Sequence, residues 1–329
     1  MVLKTMASRK FMTSTMRNPA PNASPGKRSR IPSCLRSGRS GAWVKGIGIA
    51  LFLWFFLRTD LSALAEVFSA ASPQYLALAF LLFPVIYGIK SLRWQKLIQA
   101  AGLDLSFRLS ARMYCAGLFL GILTPGKVGE AIKIPMLKSY NLSLKKSVVI
   151  TIADRVLDAA LLGALALGGL LVLEQIQIPK QILLLCLLFG VLLLWQQRHR
   201  WMKREIWQEM QKLLRTNTTQ ITLLTLLNWS VYFVQLILIA KSLSLAITLV
   251  DFISIMTIAG IVSLLPIAPA GLGTREATLL FFFAEYGIAP AQTLAFSYII
   301  FALTIIAATC IGGYCWLTVK HLPQPENPA

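Results

Sequence analysis

Charge is scarce in this chain. Only 14% of its 329 residues are charged, with 13 Asp and Glu and two His, where a soluble domain carries about 25% charged residues. The charges are also clustered. Residues 67–89, 216–240, 252–274 and 286–319 contain none, over 23, 25, 23 and 34 positions. At about 1.5 Å rise per residue, roughly 20 apolar residues cross a hydrocarbon core of about 30 Å. A soluble helix needs a charged outer face, and these runs have none. That excludes a soluble fold and leaves an all-α integral membrane protein.

Other scarcities narrow the function. The five cysteines (Cys34, Cys115, Cys186, Cys310, Cys315) form no Cys-x-x-Cys pair, which argues against a zinc site or a redox pair. His199 and His321 lie in basic flanking segments. There is no phosphate-binding Gly-x-x-x-x-Gly-Lys-Ser/Thr loop, no Gly-x-Ser-x-Gly elbow and no His-Glu-x-x-His. No metal or other cofactor is expected.

What is plentiful is positive charge, with a net +19. Residues 1–45 hold ten Lys or Arg and no acid. Such a segment buries too little apolar surface to fold, so residues 1–42 are expected to be a disordered basic tail. A targeting segment and an over-long start remain open beside it. The charges flank membrane helices, so nucleic acid is not the expected partner.

Loop charge sets the topology. The first span is expected at 43–57 and the second at 75–91. Lys90, Arg93, Lys96, Arg108 and Arg112 follow, against Asp104 alone, which reads as a cytoplasmic loop. Residues 174–180 read as outside. Residues 198–215, with six Lys or Arg against Glu205 and Glu209, read as inside. The Asn-x-Ser/Thr sequons at Asn141 and Asn217 then fall inside and carry no glycan.

Residues 113–126 are apolar but too short for a comfortable span. They lead into Thr124-Pro-Gly-Lys-Val-Gly-Glu130, then Lys133, Lys138, Lys145 and Lys146. A crossing there would put these lysines outside. A re-entrant hairpin over 112–146 keeps them inside. Irregular backbone at membrane depth is tolerated only where it lines a cavity or is buried in protein.

The motif recurs. Pro125-Gly-Lys-Val-Gly129-Glu130 resembles Pro269-Ala-Gly-Leu-Gly273-Thr-Arg-Glu276. Pro125 and Pro269 are 144 positions apart, as are Gly129 and Gly273; Glu130 and Glu276, Tyr140 and Tyr286, and Ser147 and Thr293 are each 146 apart. A second span-and-hairpin set follows, with spans at 219–240 and 291–317 around a hairpin over 250–290. The expected architecture is about six spans and two opposed hairpins in an inverted repeat. The membrane domain is 43–319, with halves 43–173 and 181–317, and residues 320–329 form a short tail. Broken segments at matching positions point to a site near the bilayer midplane.

Charges at membrane depth supply the candidate residues. Asp154, Arg155 and Asp158 open the span 147–173 on one helical face, with Asp154 about 10 Å into the helix. Each costs about 2.5–3.5 kcal/mol on insertion scales, which marks a functional cluster; a packing ion pair is the plainer alternative. Glu130 with Lys127 and Lys133, and Glu276 with Arg275, flank the broken turns built from Pro125, Gly126, Gly129, Pro269, Gly271 and Gly273. A solvated hairpin tip is the alternative there.

Leu-Thr-Pro-Gly-Lys-Val-Gly-Glu-Ala-Ile-Lys (123–133), Ala-Asp-Arg-Val-Leu-Asp (153–158) and Ala-Pro-Ala-Gly-Leu-Gly-Thr-Arg-Glu-Ala (268–277) resemble the signatures of the lysylphosphatidylglycerol synthase transmembrane, flippase-like family. The resemblance runs from about 43 to 319. The Thr-Arg-Glu after Gly273 departs from the family's common Gly-Val-x-Glu form at Arg275. In multidomain members, the multiple peptide resistance factors, this region flips aminoacylated phospholipid that a separate soluble domain makes. The resemblance therefore implies translocation of membrane lipid, anionic or aminoacylated, and not aminoacyl transfer. In a flippase or scramblase whose hairpins form a polar groove near the midplane, Lys127, Arg155 and Arg275 are expected to contact a lipid phosphate. Glu130, Asp154, Asp158 and Glu276 would hold a cationic head group or carry protons. The expected location is the cell membrane, multi-pass, with both termini cytoplasmic. A secondary transporter of a small anion, a membrane-embedded enzyme acting on a lipid-linked substrate and a membrane scaffold are the other classes.

The hairpin is open to a direct test. Single cysteines placed along 112–146 should be labelled from the cytoplasmic side only. Labelling of 127–146 from the outer side would replace the hairpin with a crossing.

Overall fold

In hydrocarbon every backbone N–H and C=O must find a partner within the chain, and the described residues meet that demand with helices alone. The computed structural model describes residues 60–173, 204–264 and 273–319, with Trp54 and Leu57. All belong to one unit, Arg39–Ala329. The basic tail, the span expected at 43–57, the outer loop at 174–180, the opening span of the second half, and Pro269 and Gly271 lie outside the described residues.

Helix α1 (Leu61–Ala70) is capped by Asp60, whose Oδ1 accepts from the Ser62 and Ala63 amides at 2.9 and 3.3 Å. Helix α2 (Pro73–Ala100) starts on a proline at its first turn, where no amide bond is lost. It ends before Gly102, which has a φ of 91°. Helix α3 is Phe107–Leu123, followed by a 3-10 helix, Pro125–Ile132, and a short α4, Lys133–Lys138. Helix α5 (Leu144–Val172) is capped by Ser143. Helices α6 (Arg204–Arg215) and α7 (Thr218–Ser242) are joined through Asn217 in the left-handed region. Then come α8 (Leu249–Leu264), α9 (Thr274–Ala284) and α10 (Pro290–Ala307). A π-helical turn, Ala308–Gly313, leads into α11, Tyr314–Val319.

Three helices among the described residues are long and apolar enough to cross a membrane: α2, α7 and the continuous run Pro290–Val319. Helix α5 has 29 residues, about 43 Å at the usual rise, but carries Lys145, Lys146, Asp154, Arg155 and Asp158.

The helix boundaries correct the sequence reading where charges were taken to end a span. The second span was expected to stop at residue 91, where charges begin. Instead α2 runs to Ala100, with Lys90, Arg93 and Lys96 inside it. Those charges were read as a cytoplasmic loop. Arg93 stays helical because a neighbouring helix meets its charge. Likewise, the apolar segment expected at 113–126 begins earlier, at the Ser106 cap, and takes in Arg108 and Arg112.

Packing pairs these helices in antiparallel fashion. The most extensive contact joins α2 and α7. The Ser72 amide donates to Ser242 O at 3.0 Å, Gln235 Nε2 to Ala79 O at 2.7 Å, and Arg93 Nη1 to Thr225 Oγ1 at 3.3 Å. One register therefore holds along the pair. Helices α5 and α8 run antiparallel too, and a Cβ on Gly169 would lie 2.8 Å from Ser254 Cβ. Phe252, Phe283 and Phe296 tie α8, α9 and α10 together around ring centroids 5.7–6.4 Å apart.

The motif region doubles back on itself. Gly117, Gly121 and Leu120 of α3 face Lys133, Glu130 and Gly129 of the returning segment. Gly129 comes so close that a Cβ would collide with the Leu120 carbonyl. Thr124 Oγ1 accepts from the Gly129 amide at 2.6 Å and closes the turn. At the other end of the motif's neighbourhood, a Cβ on Gly312 would sit 2.7 Å from the Cys115 carbonyl, where the π turn crosses α3. There Cys315 packs against the cluster that holds Cys115, Phe83 and Tyr87, a pairing invisible in their spacing.

Helix α6 replaces what read as a basic loop. Met210 and Leu213 are buried, with Ile206, Trp207 and Leu214 beside them, against Trp94, Leu97, Ile98 and Ile150. The opposite face carries Glu205, Gln208, Gln211, Lys212 and Arg215. Apolar residues at 206, 210 and 213 follow helical spacing.

Gly129→Ala should lower the unfolding temperature in detergent, at a cost of about 1–3 kcal/mol for forced repacking. Gly163→Ala, where a Cβ meets nothing within 4 Å, should leave it unchanged or slightly raised. Equal behaviour of the two variants would contradict the close approach.

Candidate functional site

The site is built by three segments: the C-terminal half of α2, the returning hairpin arm, and the first half of α5. Arg93 is its centre. Its side chain is fully buried, and its two terminal nitrogens span the carboxylates on successive turns of α5. Nη1 donates to Asp158 Oδ1 at 2.7 Å and Nη2 to Asp154 Oδ1 at 2.7 Å. The four-residue spacing of Asp154 and Asp158 fits the width of one guanidinium.

Each carboxylate has further partners. The Tyr114 hydroxyl donates to Asp154 Oδ2 at 3.2 Å, and Trp229 Nε1 to Asp158 Oδ1 at 3.2 Å. Lys90 Nζ lies 3.8 Å from Asp158 Oδ2. Glu130, from the hairpin arm, bonds Lys133 Nζ at 3.0 Å and Arg155 Nη2 in a short ion pair. Arg155 Nη2 also lies 3.5 Å from Asp154 Oδ2, and Lys133 Nζ 3.9 Å from it. Among the described residues the network thus joins four cations (Lys90, Arg93, Lys133, Arg155) to three carboxylates (Glu130, Asp154, Asp158), a formal excess of one positive charge.

Glycine makes the hairpin arm fit. A Cβ on Gly117 would sit 2.8 Å from Lys133 Cγ, and one on Gly121 would sit 2.5 Å from Glu130 Cγ. These glycines, one turn apart, open a channel along α3 in which the two side chains lie. The Lys133 ammonium then stands 4.4 Å from the Tyr114 ring centroid, a cation–π position. Asp154 lies ten residues into α5, about 15 Å along the helix; the earlier helix start places it deeper than the 10 Å read from the sequence.

Of the candidates from the sequence, Glu130, Asp154, Arg155 and Asp158 come together. Arg275 and Glu276 form a separate cluster. There Glu276 Oε2 accepts from the Gly273 amide at 2.5 Å, and Oε1 accepts from Ser297 Oγ at 2.6 Å and Arg275 Nη2 at 3.1 Å. Arg275 also donates through Nε to Ser297 Oγ at 2.7 Å. This pair fastens the start of α9 to α10. Pro125, Gly126 and Lys127 begin the 3-10 helix; their side chains lie outside the described residues. Among the described residues, no three His, Cys, Asp or Glu side chains gather as metal ligands would.

Sequence reasoning missed Arg93, Lys90, Tyr114, Thr225 and Trp229, and left Lys133 as a flank of Glu130. Arg93 carried a usable signal. It lies three residues after Lys90 at the end of a charge-free run, and two unpaired intramembrane acids on one helix face call for a cation.

Residues 42–312 match the family described as lysylphosphatidylglycerol synthase TM region. A UPF0104 membrane protein of Methanothermobacter thermautotrophicus is 21% identical over 298 residues, covering 78% of this chain and 88% of that protein. Another, of Methanocaldococcus jannaschii, is 22% identical over 303 residues, covering 79% and 89%. A third, of Pyrococcus horikoshii, is 31% identical over 116 residues, and this chain spans only 35% of that protein's length.

Arg93→Met should strand two buried carboxylates and cost about 3–5 kcal/mol, the usual penalty for breaking a buried pair. Thermal unfolding in detergent should show a large drop, with a smaller one for Arg155→Gln. An Arg93→Met protein that unfolds where the wild type does would remove Arg93 from the centre of the site.

Proposed function

The chain belongs to the lysylphosphatidylglycerol synthase transmembrane-region family, and from that premise we propose that this multi-pass membrane protein moves a phospholipid or related lipid between leaflets. The observation that carries the reading is the ion-pair network of Arg93, Asp154, Asp158, Glu130, Lys133 and Arg155. With Lys90, seven charges are held within apolar helices, at a break in one of them. Desolvating charge is costly, and a membrane protein concentrates it where a polar group must pass. A lipid headgroup is such a group, and its acyl chains can remain in the bilayer.

The spacing of helix starts, which an inverted repeat would produce, supports the reading. Helix starts fall at similar offsets in the two halves: Pro73 and Thr218 are 145 positions apart, Phe107 and Leu249 are 142, and Leu144 and Pro290 are 146. A carboxylate stands beside glycine in each half: Glu130 lies over Gly121, and Glu276 accepts from the Gly273 amide. The hairpin of the first half enters from the cytoplasmic side in this reading, and that of the second half from the outside. Alternating access would rock one half against the other around the network. Arg155 is the member best placed to meet substrate, since its side chain is 33% exposed while Arg93 and Asp154 are fully buried.

Reconstitution into liposomes with headgroup-labelled lipids tests this. The wild type should move at least one lipid to the other leaflet, and Glu130→Ala and Arg155→Ala should each slow it by tenfold or more. No movement of any lipid would remove the function; unchanged rates in both variants would remove the residues from it.

A further inference from the structure

The network does not present its two signs of charge equally. Arg155 and Lys90 are its most accessible members, with side chains 33% and 19% exposed. The carboxylates stand behind them. Asp158 is 10% exposed, Glu130 6% and Asp154 not at all. Each carboxylate is already engaged by at least two cations: Glu130 by Lys133 and Arg155, Asp154 by Arg93 and Arg155, Asp158 by Arg93 and Lys90. Arg155 and Lys90 lie within electrostatic reach of each other. Arg155 Nε is buried and has no hydrogen-bond partner.

We infer that the site selects an anionic headgroup, the phosphodiester of a lipid with net negative charge, gripped between Arg155 and Lys90. The inference rests on the translocation reading and sharpens it. One positive charge in excess, repulsion between the two reachable cations and an unused guanidinium donor all favour one more anion. A cationic headgroup would meet Arg155 and Lys90 before any carboxylate. To reach Glu130 or Asp154 it would have to displace Lys133 or Arg93, both fully buried.

The geometry also supplies the exchange that binding requires. Arg155 can leave Glu130 for the phosphate without stranding it, because Lys133 keeps Glu130 at 3.0 Å. Lys133 is therefore a positioning residue. Its ammonium is fixed by Glu130 and the Tyr114 face, and its stem by the channel over Gly117. Arg155 swaps one anion for another while the buried core of the network keeps its pairs.

Binding and movement separate the possible failures. Thermal unfolding of the full chain in neutral detergent is followed with phosphatidylglycerol, phosphatidylcholine, lysyl-phosphatidylglycerol or glycerol 3-phosphate added. Phosphatidylglycerol should raise the unfolding temperature most. Arg155→Gln and Lys90→Gln should each abolish most of that rise, and Arg155→Lys should keep part of it. An equal rise with phosphatidylcholine or lysyl-phosphatidylglycerol, or a rise undiminished in both Gln variants, overturns the inference. A rise with glycerol 3-phosphate as large as with the lipid assigns the site to a soluble phosphate instead and overturns it as well. In liposomes of phosphatidylcholine carrying a trace of each labelled lipid, the anionic lipid should move at least tenfold faster than the other two. Selective binding without movement keeps the anionic site and removes the translocation reading. Movement without selectivity keeps translocation and removes the inference.

Discussion

One guanidinium holds this structure in register. Arg93 reaches from α2 to two aspartates on successive turns of α5 and also touches Thr225 on α7. A buried ion pair is weak evidence for stability in general, because desolvation offsets its attraction. Its geometric demand is strong. Three helices must meet at one depth and one rotation for all the bonds to form. The Glu130–Lys133–Arg155 side of the network then adds the hairpin arm to the same centre.

The hairpin belongs there because glycine allows it. Gly117 and Gly121 remove side chains from one face of α3, and Gly129 lets the returning backbone lie against Leu120. Without those absences, Glu130 and Lys133 could not reach α5 through the protein interior. Gly129 of the broken turn and the two glycines inside α3 thus bring charge to Asp154. The two halves then diverge. On the proposed repeat, at offsets of 145 to 146, Lys90 and Arg93 would correspond to Gln235 and Leu238, and Asp154, Arg155 and Asp158 to Ile300, Phe301 and Thr304. The second half keeps a carboxylate, Glu276, but satisfies it with a backbone amide, Ser297 and Arg275. The first of the two expected halves carries the ion-pair network and the second a structural clasp.

How much of this was legible in the sequence follows from the range of each signal. Apolar runs mark helices directly, so the spans expected from 75, 147, 219 and 291 begin within three positions, at Pro73, Leu144, Thr218 and Pro290. Asp154, Arg155 and Asp158 stood out because charges inside a long apolar run have few explanations. Arg93 was assigned to a loop because charge density alone marks a membrane boundary only when no partner compensates it. Its partners lie 61 and 65 positions away, and no local pattern shows them. Lys90 and Trp229 were missed for the same reason. The amphipathic α6 was hidden by its charge count, although its apolar residues at 206, 210 and 213 follow a helical period.

The account's central claim is that the Arg93-centred network is where a lipid headgroup passes. Photo-crosslinking in native-like vesicles tests it most directly, using a phospholipid with a diazirine beside its phosphate and mapping adducts by peptide mass spectrometry. The account predicts adducts concentrated on α2 around Lys90 and on α5 around Arg155, diminished when unlabelled anionic lipid competes. Adducts confined to outward apolar positions such as Leu81, Leu226 and Ile306, with none on those two segments, would contradict it.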